Sequence, residues 1–246
     1  MREEVGKNLT DHLCAGFAIL AETRDSLGSA TSLRALARYA IGRRGLLTSN
    51  ICEGYGFVRS DPALELCDLE LLFVPGLFVD EGLTIPRRQG VTLGAVLLQP
   101  ESRGEIRLET AGREPRLVID PRYLSDEGGN DARVLAAGVR RCLEIARTAP
   151  LARRLREHVQ PPPGTDEELV EASVHRYSQT LYHPVGTCRM GSDDDSVVDP
   201  ELRVRGVSGL RVVDASVMPR LIRGHTNAAT MMIAARGADL IARAAR

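Results

Sequence analysis

A mixed α/β fold, with a largely antiparallel sheet and covering helices, is predicted by three observations. Between Leu66 and Pro121 four apolar runs follow at short intervals, LELLFVPGLFV, VTLGAVLLQP, GEIRLET and PRLVIDP, separated by Gly, Pro and Asp. Links that short suit antiparallel neighbours, because a parallel crossover needs a dozen or more residues. Segments with apolar residues at helical spacing flank these runs. The chain has 246 residues, 43% hydrophobic and 26% charged, so it can bury a core without disulfides or metals.

Along the chain, a short polar-apolar lead reaches His12, and an apolar run follows from Leu13 to Leu20. Leu33, Leu36, Ala37, Ala40 and Ile41 make an amphipathic helix, with Gly42 and Gly45 placed to end it and Arg43 and Arg44 at the negative end of its dipole. Gly104 reads as the turn of a hairpin between the second and third apolar runs. Val134, Leu135, Gly138, Val139, Cys142, Leu143 and Ile145 mark a helix over the sheet, which Pro150 breaks or kinks before the helical pattern continues to Val159. PPPG at 161–164 stiffens the connection, and Thr165 and Asp166 followed by Glu167 and Glu168 cap a helix through Tyr177. VSGLRVVDAS is expected to be a short buried strand ending at Asp214. The closing NAATMMIAARGADLIARAAR is apolar nearly all round and is expected in a core.

Composition also narrows the function. A net charge of −1, an aromatic share of 4% and no Trp leave neither field nor stacking platform for nucleic acid, and none is expected as a partner. The five Cys form no C-x-x-C pair, so neither a disulfide framework nor a metal site is expected. MREEVGKNLTDH carries charges where a secretory signal needs apolar residues, and no later run has the length of a membrane span. A cytoplasmic location is the expectation.

Two places carry polar residues that packing alone does not ask for. In SQTLYHPVGTCRMG, His183 precedes Pro184, which constrains the backbone, and Gly186 and Gly191 leave room for close approach of backbone or ligand. A lone histidine is more often a satisfied core or surface residue. In RGHTNAATMM, His225, Thr226 and Asn227 stand at the start of the closing helix. Thr226 or Asn227 would cap it, or its free N–H groups would hold an anion. Asp214, at the end of the expected strand, is either a cap or a ligand-facing group.

YHPVGTCRMG, VVDPELRVRGVSGLRVVDASVMP and HTNAATMMIAARGADLI, in this order, resemble the carboxyl-terminal half of the glucose-methanol-choline (GMC) family of FAD-dependent oxidoreductases. Upstream, VGKNLTDHL, RRGLLTSN and GFVRS resemble family segments too, so the likeness spans nearly the whole chain. The resemblance implies oxidation of an alcohol with FAD as hydride acceptor, His183 as base on the hydroxyl or acid-base partner in flavin reoxidation, and Asn227 as its partner. It implies FAD contacts from Asp214, Ala215, His225, Thr226, Asn227 and Ala228, with His225 a cofactor contact at most. It makes His12 structural or cofactor-adjacent. His158 and His175 read as solvated, and Cys188 as a buried packing residue.

No G-x-G-x-x-G turn is present, the nearest cluster being Gly54 and Gly56. The resemblance therefore implies a Rossmann-like FAD-binding domain whose amino-terminal part is missing. Residues 1–60 are assigned to its trailing part, 61–205 to the substrate-binding domain and 206–246 to the strand and helix returning to it. The missing half, in the same gene or in trans, is the expected partner. Alone, the chain is expected to hold FAD poorly and to expose an apolar face. Two other readings stay open: a non-catalytic interaction module of a split protein, and lyase chemistry on the same fold.

Overall fold

The computed structural model describes residues 3–84, 86, 88–109 and 115–244. Its strands are β1 (Leu13–Ala21), β2 (Gly54–Val58), β3 (Leu69–Val74), β4 (Gly90–Leu97), β5 (Glu105–Glu109), β6 (Arg116–Asp120), β7 (Leu155–Gln160) and the short β8 (Gln179–Thr180). Its α-helices are α1 (Leu33–Gly42), α2 (Asn130–Ala146), α3 (Asp166–His175) and α4 (Asn227–Ala244). The chain divides into two compact units. One comprises Leu13–Leu97 and Ala132–Gln179, the other Met1–His12, Leu98–Asp131 and Thr180–Arg246. Thr110 of the third apolar run and the last two residues of the closing segment lie outside the described residues.

The first unit is built on a sheet in the order β2-β3-β4-β1-β7. Its ladders are antiparallel, as the short links require. The apolar run Leu13–Leu20 becomes a central strand, with Phe17 and Ile19 buried. On α2 the helical spacing places Leu135, Val139, Cys142 and Leu143 inward, whereas Ile145 is exposed. Gly138 lets the helix approach closely, since a Cβ there would lie 2.5 Å from that of Ala95. Thr165 and Glu168 form a capping box at the start of α3.

Three expectations are corrected in this unit. Residues 151–160 do not continue a helix. Pro150 supplies no N–H, and the segment after it pairs with β1 as β7. His158 therefore lies half-buried on a strand beside the Phe17 ring, its centroid 5.4 Å away, where burial holds its imidazole below the ordinary value. Helix α1 forms at the expected place with Ser32 as N-cap, but its left-handed C-cap is Arg43 and its only buried residue is Ala35. The apolar stripe is uncovered, with Leu33 86% and Ile41 89% exposed.

In the second unit β5 pairs with β6, so Gly104 is not the turn of a hairpin with β4. Gly104 instead exchanges two 2.9 Å backbone hydrogen bonds with Leu9. Residues 207–214 form no strand. Among the described residues their ladder is a single bridge pair, Arg203 with Arg211, flanked by Val204 N donating to the Leu210 carbonyl at 2.9 Å and Val212 N to the Leu202 carbonyl at 3.2 Å. The core gathers Val185, Val197, Val198, Leu202, Val217, Met218, Leu221 and Ile233. Helix α4 contributes little to it. Only Ile233 and Gly237 are buried, and Met231 (60%) and Met232 (61%) are exposed, so the expectation of a core helix is not met within this unit.

The boundaries assigned at residues 60 and 205 do not coincide with the edges of these compact units. Residue 60 lies between β2 and β3 of one sheet, and residue 205 lies inside the second unit.

Candidate active site

Two distant segments meet first through their backbones. Gly6 N donates to the Thr187 carbonyl at 2.9 Å, and Thr10 and Val185 exchange hydrogen bonds of 3.0 and 2.8 Å. Leu181 N donates to the His12 carbonyl at 2.9 Å. VGKNLTDH thus runs antiparallel to the stretch carrying HPVGT. Gly186, at φ +92°, admits the approach, because a Cβ there would lie 2.4 Å from the Asn8 carbonyl oxygen.

The pairing puts Asp11 and His12 against His183. Asp11 is buried and accepts from the His183 backbone N–H at 2.8 Å, from the Tyr123 hydroxyl at 2.6 Å and from the Thr180 hydroxyl. Its carboxylate thereby anchors the turn that carries His183, where Tyr182 occupies the left-handed region at φ 61° ahead of His183 and Pro184. His12 is 1% exposed, donates through Nε2 to the Ile222 carbonyl at 3.0 Å, and sets its Nδ1 2.9 Å from Nδ1 of His183. On its other side His183 meets the His225 ring edge-to-face, with centroids 5.0 Å apart.

Burial lowers the proton affinity of both the His12 and the His183 rings. Burial, then the facing His183, pushes the His12 imidazole down from 6.5 to about 4, against the opposing pull of the Ile222 carbonyl, Asp11 and the Leu98 carbonyl. His183 is lowered too, by burial and then by His225, with Asp11 opposing. A half-buried neutral imidazole can accept a proton, which is what a general base must do.

The remaining candidate residues line a second edge. Asp214 is exposed and caps the turn Ala215–Val217, its Oδ1 accepting from Ser216 N at 2.8 Å. Cys188 N donates to the Ser216 carbonyl at 2.9 Å and Met190 N to the Val217 carbonyl at 2.8 Å, which ties this turn to the HPVGTCRMG segment. Cys188 is half-buried beside the core, and burial raises its thiol, as suits a packing residue rather than a nucleophile. Thr226 is buried and its carbonyl takes the first α4 hydrogen bond, from Thr230 N at 2.9 Å. His225, Asn227 and Ala228 are exposed at the amino end of α4, where the first N–H groups have no partner within the helix. That donor set fits an electron-rich ring edge, and the exposed Met231 and Met232 fit an apolar flat surface.

Asp11, Tyr123 and Thr180 were not singled out from the sequence. Asp11 had one signal, its place beside His12 in VGKNLTDHL. Tyr123 had none, since only the fold brings it to Asp11. Among the described residues no cluster of His, Cys, Asp and Glu could hold a metal ion, and no helix is long and apolar enough to cross a membrane.

A family model described as GMC oxidoreductase matches residues 100–234. The chain is 52% identical over 240 residues to an uncharacterized GMC-type oxidoreductase of Mycobacterium tuberculosis, covering 97% of this chain and 45% of that protein. It is 42% identical to the alcohol dehydrogenase [acceptor] of Pseudomonas putida, covering 98% and 44%. Among solved structures, pyridoxine 4-oxidase from Mesorbium loti superposes with a TM-score of 0.76 at 28% identity, covering 97% of this chain and 43% of that one. The chain thus spans about half the length of the curated relatives it matches.

Proposed function

The chain belongs to the GMC oxidoreductase family, as its carboxyl-terminal portion, and on that premise we propose that it supplies the base and substrate side of an FAD-dependent alcohol oxidation. The observation that carries this reading is the half-buried His183, held by its backbone on Asp11 and by its ring on His12. In the reaction His183 takes the hydroxyl proton of the alcohol, and Asn227 holds the alcohol oxygen through its side-chain amide. FAD, when bound, supplies the hydride acceptor for the carbinol carbon. Asp214, Ala215, His225, Thr226, Asn227 and Ala228 are the residues that would hold it, the α4 N–H groups favouring negative charge at the ring edge. Residues 1–60 and 206–246 are assigned to the flavin domain of the complete protein and 61–205 to its substrate domain.

The occupant proposed for the exposed face of α4 is an amino-terminal half carrying the G-x-G-x-x-G turn, which this sequence lacks. The name of the Pseudomonas putida relative supports an alcohol as substrate class. The test joins this chain to the amino-terminal half of its Mycobacterium tuberculosis relative and follows flavin absorbance without oxygen. Alcohols should bleach it, and His183→Ala should slow bleaching by about 10²–10⁴-fold. A joined protein that binds flavin but is bleached by no alcohol would sink the proposal and favour a non-catalytic module.

A further inference from the structure

The contact between the buried His12 and the half-buried His183 constrains where their hydrogens sit. The Ile222 carbonyl can only accept, so the Nε2 of His12, 3.0 Å away, carries a hydrogen. A neutral His12 then has a bare Nδ1. A second hydrogen there would make an imidazolium at a site only 1% exposed and pressed against another imidazole. The Nδ1 of His183 lies 2.9 Å from that bare nitrogen. If it were bare as well, two lone pairs would face each other.

We infer that His12 is a positioning residue that sets the tautomer of His183: the Ile222 carbonyl orients His12, the Nδ1 of His12 accepts from Nδ1–H of His183, and the lone pair of His183 is placed on Nε2. The inference rests on His183 being the base and names the nitrogen that does the work. The hydrogen bond made by one ring nitrogen decides which state the other presents. The depressed proton affinity of His12 agrees, since its Nδ1 stays an acceptor across the neutral range. Asp11 contributes by holding the His183 backbone, which leaves the ring free for His12 to orient.

The chain with ¹⁵N-labelled histidine, read by two-bond ¹H–¹⁵N correlation near pH 7.5, tests this without flavin or alcohol. The expected spectrum has hydrogen on Nδ1 and a bare Nε2 for His183, and the reverse for His12. In His12→Phe, His183 should relax to a mixture of tautomers. His12→Asn should restore the wild-type form, because its Oδ1 can accept where Nδ1 did, whereas His12→Gln, reaching only Ile222, should not. A wild-type His183 protonated on Nε2 overturns the inference even if no variant folds, as does an unchanged His183 tautomer in a folded His12→Phe. Because this readout ignores turnover, its failure is distinct from failure of alcohol oxidation in the joined protein.

Discussion

The two edges of the candidate site are built in opposite ways. On the His183 edge, Asp11 and His12 are buried and Asp11 alone takes three donors. On the α4 edge, His225, Asn227, Ala228 and Asp214 are exposed, and so are Met231 and Met232 beside them. The contrast teaches that this chain fixes the His183 ring through its own segments, whereas the edge where we propose the cofactor sits is left open. Orientation needs fixed hydrogen bonds from neighbouring segments. A surface for a large flat ligand needs only unspent N–H groups and apolar area, and it is completed from outside.

The sharpest way to break this comparison is kinetic. In the joined, flavin-loaded protein, His183→Ala should lower kcat by about 10²–10⁴-fold and Asn227→Ala by less, because a proton acceptor contributes more than an orienting amide. Stopped-flow reduction decides, and equal losses would erase the distinction between the two edges. Asp11→Ala comes next. It strands the Tyr123 and Thr180 hydroxyls and the His183 N–H, and should destabilise the chain by about 3 kcal/mol or more in urea titration.

The third effect sharpens the buried edge through pH. The folded His12 resists protonation down to about 4, whereas the unfolded residue takes a proton near 6.5. The unfolded state therefore binds more protons in that window. Stability is full above pH 6.5 and falls as pH drops toward 4, by on the order of 3 kcal/mol. Urea titrations at pH 7.5 and 4.5 should show the loss, and a folded His12→Phe should show less of it. The smallest effect lies on the open edge. Met231→Lys with Met232→Lys should change the stability of the chain by under about 0.5 kcal/mol yet weaken its assembly with the amino-terminal half, read by size-exclusion chromatography. A large stability loss would show that those side chains are already packed.

What was legible in the sequence follows a physical divide. The α3 cap, the inward face of α2 and the antiparallel pairing of β3 with β4 were readable because each depends on residues close in the chain. The Gly104 hairpin, the helix after Pro150 and the strand at 207–214 were misread. For two of them a neighbour remote in sequence decides the outcome, Leu9 for Gly104 and β1 for residues 155–160, whereas residues 210–212 fold back onto the nearby Leu202, Arg203 and Val204.

The sequence by itself determined the family, through motifs around His183 and Asn227 whose spacing is local, and with it the expectation of which histidine is chemical. Only the tertiary structure decided how that histidine is held. Asp11 and His12 stand about 170 positions from His183, and Ile222 stands 210 from His12. No local pattern encodes such a contact, because a hydrogen bond records distance in space, and that distance exists only once the segments have been folded together.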